Sequence, residues 1–169
     1  MPASIQINEI LGRLGEETPK MGDIKAIAKE IKKNHDLAME LWATRKVYPR
    51  MLAVLVMDKK LLTQDLLDVL AEDVQVHDSD ERNRITEWLM ANQLMKDKNT
   101  IALMETWQHA DSAVLRRLFW YYQARLRWTG QAPPENTVEL LESIDKEMET
   151  EEPDVQWAMN FTAGWIGVY

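Results

Sequence analysis

DSAVLRRLFWYYQARLRW, residues 111–128, is the stretch of the sequence that decides the fold. Asp111 and Ser112 carry side-chain oxygens that can accept hydrogen bonds from the free N–H groups at a helix start. Apolar residues then recur at three- and four-residue spacing, as on one face of a helix. They are Leu115, Leu118, Phe119, Tyr122 and Leu126. The stretch therefore predicts a long amphipathic helix.

The same helix carries a second stripe, made of Arg117, Tyr121, Arg125 and Trp128. Guanidinium groups interleaved with aromatic rings suit a phosphate backbone and exposed bases, because arginine binds phosphate with two donors and both groups can stack. The alternative is that the rings belong to the core and the arginines form a solvated or ion-paired face. The helix alone leaves both interpretations open.

Helical periodicity continues along nearly the whole chain, and no stretch alternates as a strand would. The predicted helix starts lie near Ile5, Asp23, Asp36, Pro49, Thr63, Asp78, Asn99 or Thr100, Ser112, Thr137 and Pro153. The first helix should end at Gly15, and the apolar run MLAVLVM after Pro49 should lie in the core. We therefore expect an all-α fold of about ten helices.

The helices from Asp36 onward fall into pairs that repeat every roughly 30–40 residues, as in helical-hairpin solenoids. We expect one domain over residues 1–169, built as a superhelical array of antiparallel helix pairs of the HEAT or ARM kind. A compact orthogonal bundle is the alternative. A solenoid would bind its partner on its concave surface.

The composition excludes several classes of protein. The chain has no cysteine, which excludes disulfides, thiol catalysis and cysteine-ligated zinc or iron–sulfur centres. No apolar run approaches the length of a membrane span, and the first residues lack the layout of a signal peptide. We therefore expect a cytoplasmic protein, since a chain without cysteine fits a reducing compartment, and we expect no membrane partner.

Charge is distributed unevenly along the chain, whose net charge is −8. Residues 20–60 contain ten Lys or Arg against five Asp or Glu, whereas residues 135–154 contain nine acids and one base. A phosphate-binding protein needs a local basic face rather than a basic average. The charge pattern leaves open both a DNA-binding protein and a protein-interaction scaffold that does not bind DNA.

No catalytic or metal motif stands out from the residues alone. His35, His77 and His109 show neither metal-ligand spacing nor an HExxH arrangement, so we expect no metal. The chain also has no glycine-rich phosphate loop, and we expect no cofactor. By these criteria nothing identifies an enzyme.

Three stretches, read together, resemble a known family. They are IKAIAKEIKKNHDLAMELWATRKVYPRMLAVLVMDK at residues 24–59, the segment 107–128 in which a tryptophan precedes the pair Arg116–Arg117, and VQWAMNFTAGWIGVY at the C-terminus. In this order they are similar to the bacterial DNA alkylation repair proteins, the AlkD-like family of HEAT-repeat DNA glycosylases. The resemblance covers most of the chain.

The resemblance implies a curved array of helix pairs that clasps damaged duplex DNA. We expect binding on a concave basic face, and we expect a monomer. In active relatives an aspartate favours departure of a positively charged N-alkylated purine, and two tryptophans and an arginine pack around the exposed backbone of the lesion. Relatives usually continue with more helix beyond the position of Tyr169. We therefore expect a divergent or C-terminally shortened member.

The family's W-x-x-x-D pattern should lie within DVQVHDSDERNRI, and it can be placed in two ways. The first puts Ser79 at the tryptophan and Asn83 at the aspartate. The second keeps the acid as Asp80, with Val76 in place of the tryptophan. An asparagine cannot supply the negative charge, so we expect glycosylase activity to be reduced or lost. An active glycosylase that uses Asp80 is the alternative.

The family's arginine corresponds to Arg117, or to Arg116 if the placement shifts by one residue. Its second tryptophan falls near Phe161, with Trp157 and Trp165 as neighbours. The predicted catalytic residues are therefore Asp80, Asn83 and Arg117. The predicted DNA contacts are Lys25, Lys29, Lys32, Arg45, Lys46, Arg50, Arg116, Arg117, Tyr121, Arg125 and Phe161.

Overall fold

The computed structural model describes the backbone of residues 3–168 and the side chains of residues 6–168, so the side chains of Ile5 and Tyr169 lie outside the described residues. Within this part of the chain there are ten α-helices and no strand, which confirms the predicted all-α fold. The helices are α1 (Ala3–Leu14), α2 (Met21–Ile31), α3 (His35–Trp42), α4 (Val47–Val56), α5 (Gln64–Asp73), α6 (Ser79–Asn92), α7 (Lys98–Glu105), α8 (Ala113–Trp128), α9 (Thr137–Glu147) and α10 (Pro153–Val168).

Side-chain caps begin several helices where the sequence predicts them. The Thr63 hydroxyl accepts a hydrogen bond from the Leu66 N–H at the start of α5. Asp78 does the same for α6, and Ser112 for α8. Each of these caps satisfies a backbone donor that has no partner inside its helix. The predicted starts of α5, α6 and α8 are confirmed.

Two other helix starts differ from the prediction. Asp23 is the predicted cap of α2, but that helix begins at Met21 and has Lys20 as its N-cap residue. Asp23 instead lies in the first turn, where its negative charge interacts favourably with the positive end of the helix dipole. Helix α3 begins at His35 because the Asn34 side chain accepts a hydrogen bond from the Leu37 N–H.

The chain divides into two compact units, Met1–Thr100 and Ile101–Tyr169. In the first unit α4 packs against α2, α3 and α6. Its residues from Met51 to Val54 are buried, which confirms that the apolar run after Pro49 belongs to the core. The single helical-repeat domain and its superhelical HEAT- or ARM-like pairing stay predictions.

The second unit is organised around α8, which packs along α10. All five residues of the predicted apolar stripe of α8, from Leu115 to Leu126, are buried. The fully buried Thr162 of α10 donates its hydroxyl to the Trp120 carbonyl of α8 at 2.7 Å. The same hydroxyl also lies 2.7 Å from the Ala158 carbonyl of its own helix. The contact with Trp120, added to the packing of the two helices, favours one rotational setting of α10 against α8.

Candidate functional site

Arg117 contacts two aromatic rings in the second unit. Its guanidinium carbon lies 5.4 Å from the centre of the Tyr121 ring, one turn further along α8. It also lies 5.2 Å from the centre of the Trp157 ring on α10. Arg117 is only 4% exposed, whereas Trp157 is 51% exposed. The pair therefore connects the buried side of α8 to an aromatic surface that solvent can reach.

Five rings form an aromatic cluster on α8 and α10: Tyr121, Trp128, Trp157, Phe161 and Trp165. Phe161 stacks on Trp157 at 4.9 Å and on Tyr121 at 5.9 Å, with interplanar angles of 21° and 18°. Trp165 stacks on Trp128 at 6.4 Å. The four-residue spacing along α10 aligns its three rings on one face. Two members of the cluster, Trp128 and Trp157, remain exposed.

The structure supports a part of each interpretation of the second stripe of α8. Arg117 and Tyr121 are buried under α10, as core residues would be. Trp128 is 41% exposed, and the guanidinium carbon of the half-buried Arg125 lies 5.1 Å from its ring centre. The Arg125 Nε is buried and has no hydrogen-bond partner among the described residues. Cationic and aromatic groups thus reach the surface at one end of the stripe.

The ring that contacts Arg117 is Trp157, one of the two neighbours of Phe161 on α10, and the placement of Phe161 at the family's second tryptophan stays a prediction. Phe161 lies one turn further along α10 and contacts Trp157 and Tyr121. The spacing of the three α10 rings indicates their shared face, but only the packing of α10 on α8 shows which ring meets the arginine.

Arg116 has a different environment from Arg117. Its Nε and Nη2 donate to the Glu151 carboxylate at 2.9 and 3.2 Å. Its Nη1 donates to the carbonyls of Ala110 and Asp111. The Arg116 and Glu151 side chains are both largely buried. Arg116 therefore holds the start of α8 to the segment before α10, and its donors are occupied within the protein.

The carboxylate and amide candidates lie at the start of α6 in the first unit. Asp80 is exposed in the first turn of the helix. Asn83 is half-buried, and its Nδ2 donates to the Ser79 hydroxyl at 3.3 Å. Val76, which replaces the tryptophan in the second placement, is 49% exposed. Neither placement supplies an aromatic ring, and both stay predictions.

Arg50, a predicted DNA contact, is 2% exposed and lies in the core of the first unit. Its Nε donates to the Trp42 carbonyl, and its Nη1 donates to the Asp73 carbonyl and to the His77 Nε2, each at 2.9 Å. Burial lowers the pKa of the Arg50 guanidinium, and the Asp73 charge opposes that shift. Because these donors are used internally, Arg50 holds the turn before α6 rather than offering a phosphate contact.

The other predicted basic residues of the first unit are exposed. They are Lys25, Lys29, Lys32, Arg45 and Lys46. The Lys25 ammonium lies 5.6 Å from the centre of the Trp88 ring. Lys32 and Arg45 have positive φ angles of 64° and 61°, a region that residues other than glycine rarely occupy. All five side chains are accessible to a binding partner in solution.

A protein-family model described as "DNA alkylation repair enzyme" matches residues 18–162. The chain belongs to the DNA alkylation repair enzyme family. The match confirms the predicted resemblance, and its span contains every predicted site residue of this family member. Comparison with curated proteins and comparison with solved structures gave no match.

Two further observations on this DNA alkylation repair family member concern metal ligands and membrane crossing. Among residues 3–168 no three His, Asp or Glu side chains are grouped so that they could hold a metal ion. In the same part of the chain no helix has both the length and the apolar character that crossing a membrane requires.

Proposed function

We propose that this family member binds duplex DNA containing alkylated bases, and that its release of N-alkylated purines is reduced or lost. The observation that carries the proposal is the contact of Arg117 with Tyr121 and Trp157. An exposed indole supported by a guanidinium group and a second ring can stack on an exposed nucleotide. The ring is also held in one orientation, which lowers the entropy lost on binding.

Phosphate contacts would come from the exposed cations of the first unit. Lys25, Lys29, Lys32, Arg45 and Lys46 are available for this role, together with Arg125 in the second unit. Each contact with a DNA phosphate releases a condensed counterion, so the affinity should fall steeply with salt. Arg50 and Arg116 are not among the proposed phosphate contacts, because their guanidinium groups form hydrogen bonds within the protein.

The proposed loss of activity follows from the chemistry of purine release. An N-alkylated purine is positively charged, so it leaves as a neutral base when its bond to the sugar breaks. The sugar carbon then takes oxocarbenium character until water adds to it, and a carboxylate can stabilise that charge. If Asn83 occupies the aspartate position, the missing charge costs about 3 kcal/mol, or roughly a hundredfold in rate.

One observation favours a second candidate, an active glycosylase. Asp80 is an exposed carboxylate in the first turn of α6, so it could approach a DNA sugar. A third candidate, a protein-interaction scaffold, is favoured by the net charge of −8 and by the acidic segment 135–154. These candidates differ in purine release and in salt-sensitive DNA binding.

The deciding experiment measures release of methylated purines from alkylated duplex DNA by the wild type, Asp80→Ala and Arg117→Ala, with folding monitored by circular dichroism. We expect slow or no release by all three proteins. Release that disappears in Asp80→Ala would establish the active glycosylase. A DNA titration against salt follows, and the absence of salt-sensitive binding at low ionic strength would leave only the scaffold.

A further inference from the structure

The first unit also contains a basic pocket whose lysines are not among the predicted DNA contacts. It is a pocket of about 320 Å³ beside the ends of α4 and α6. Four lysines line it, and we call it the lysine pocket: Lys33, Lys59, Lys60 and Lys96. The only acidic residue among its lining residues is Asp58. Four ammonium groups thus accompany one carboxylate.

Lysines near helix C-termini often serve only to neutralise backbone carbonyls. In this pocket a different side chain donates to two of those carbonyls. The buried Gln93 side chain donates to the Val54 carbonyl at 2.6 Å and to the Met57 carbonyl at 3.3 Å. Among the four lysine side chains, only that of Lys59 donates to a carbonyl of the described residues, that of Lys96 at 3.1 Å. Neutralisation of helix-end carbonyls therefore does not explain the presence of Lys33, Lys60 and Lys96 in this pocket.

The positive charges of the remaining three lysines are mostly not neutralised by other groups of the protein. Lys33 lies 3.7 Å from the Asp58 carboxylate, and the pair is largely exposed on the lysine side. Asp58 also accepts a hydrogen bond from the Lys60 N–H. The ammonium groups of Lys60 and Lys96 form no hydrogen bond or ion pair with the described residues. The pocket therefore has an excess of positive charge that the protein does not neutralise.

We propose that the lysine pocket binds a phosphate group, and that in this protein the group is a phosphodiester of the DNA backbone. Ammonium groups are compact charges with three rotatable donors each, so several can converge on the oxygens of one phosphate. Binding of phosphate itself depends only on the pocket. The assignment to DNA rests on the proposed function.

The first test uses inorganic phosphate as the probe and follows the backbone amide signals of the full chain by NMR. We expect saturable shifts in residues 57–60 and 92–96 of the wild type. The shifts should vanish in Lys60→Gln/Lys96→Gln and persist in the control Lys20→Gln/Lys146→Gln, which removes the same charge from lysines elsewhere. Unsaturable or dispersed shifts in the wild type would overturn the phosphate pocket.

The second test measures duplex DNA affinity against salt for the same three proteins. The slope of log K against log salt should become shallower by about one for each phosphate that the pocket variant no longer binds, and should stay unchanged in the control. Equal slopes in all three proteins would overturn the assignment to DNA and leave free phosphate as the ligand. If the proposed role of Arg117 in DNA binding is wrong, phosphate should still shift the amide signals of the wild type and should still not shift those of the pocket variant. The two proposals can therefore fail separately.

Discussion

The guanidinium carbon of Arg117 lies 5.2 Å from the centre of the Trp157 ring, and this contact joins a buried cation to an exposed indole. Cation–π contacts contribute about 0.5–1 kcal/mol at exposed sites and about 2 kcal/mol when desolvated. Because the two partners differ in burial, substitutions at either end should have different effects. Loss of the arginine should affect folding, whereas loss of the indole should mainly affect binding.

Replacing Trp157 by alanine should weaken DNA binding and lower the free energy of unfolding by only about 0.5–2 kcal/mol, the contribution of its cation–π contact. Stacking of a base on an aromatic ring is worth about 1–3 kcal/mol, so we expect Kd to rise roughly five- to 150-fold. Fluorescence anisotropy with alkylated duplex DNA measures the effect. Trp128→Ala is the matched control, because Trp128 is a similarly exposed ring that contacts Arg125 rather than Arg117. Equal weakening in both variants would contradict a special role for the Arg117–Trp157 pair.

Changing Asn83 to aspartate should increase purine release if Asn83 occupies the position of the family's aspartate. A carboxylate placed beside the developing charge on the sugar should raise the rate about a hundredfold. Release from alkylated duplex DNA is the measurement, and Asp80→Asn serves as the control. A rate that is unchanged in Asn83→Asp but lower in Asp80→Asn would favour the second placement.

Replacing Arg50 by alanine should destabilise the first unit. The carbonyls of Trp42 and Asp73 and the ring of His77 would each lose a buried donor, and breaking such a network costs about 3–5 kcal/mol. Urea unfolding measures the destabilisation. The exposed Lys46→Ala should change the unfolding free energy by about 0.5 kcal/mol or less. Equal stability of the two variants would show that the Arg50 network contributes little.

Replacing Lys32 by glycine should stabilise the protein. Lys32 has φ 64° and ψ −156°, a combination that glycine adopts without strain and that costs other residues about 1–3 kcal/mol. The same substitution at Lys29, inside α2, should destabilise the helix by about 1 kcal/mol. Thermal unfolding should show a higher Tm for Lys32→Gly and a lower Tm for Lys29→Gly than for the wild type. Destabilisation by Lys32→Gly would contradict the strained conformation.

The Arg13–Glu30 ion pair should make stability depend on pH in the acid range. A hydrogen bond from Arg13, together with its charge, lowers the pKa of the Glu30 carboxyl. The stabilisation is therefore present above the unfolded-state pKa of glutamate, about 4.3, and is lost as the pH falls through the lower folded-state pKa. Urea unfolding of wild type and Glu30→Gln should differ at neutral pH and converge in acid. A constant difference across this range would argue against the coupling.

Local signals predict the helices well, because their causes lie within a few residues. Thr63 and Asp78 cap the N–H groups of their own helices, and no distant contact is needed to place them. The environment of a side chain depends on distant elements. Arg50 and Lys46 are one turn apart and carry the same charge. Arg50 is nevertheless buried, because residues of α3, α5 and the turn before α6 accept hydrogen bonds from its guanidinium group.

The same limit applies to the candidate site. The stripe of Arg117, Tyr121, Arg125 and Trp128 is visible as a pattern in the sequence, but its burial depends on α10 covering it. The ring above Arg117 cannot be chosen from spacing alone. The sequence also gives no sign of the lysine pocket, because Lys33 and Lys96 are far from the adjacent pair Lys59 and Lys60 along the chain and come close to it only through the packing of helix ends.

The hydrogen bond from Thr162 to the Trp120 carbonyl has a consequence for how the length of the chain can vary. Together with the packing of α10 along α8, it favours one angular phase of α10 through contacts with α8 itself, not through the length of the connections around α9. Residues added between 129 and 136 would lengthen an exposed loop at a small entropic cost. We therefore expect such insertions to leave the aromatic face of α10 turned to the same side, so that loop length and surface chemistry can change independently.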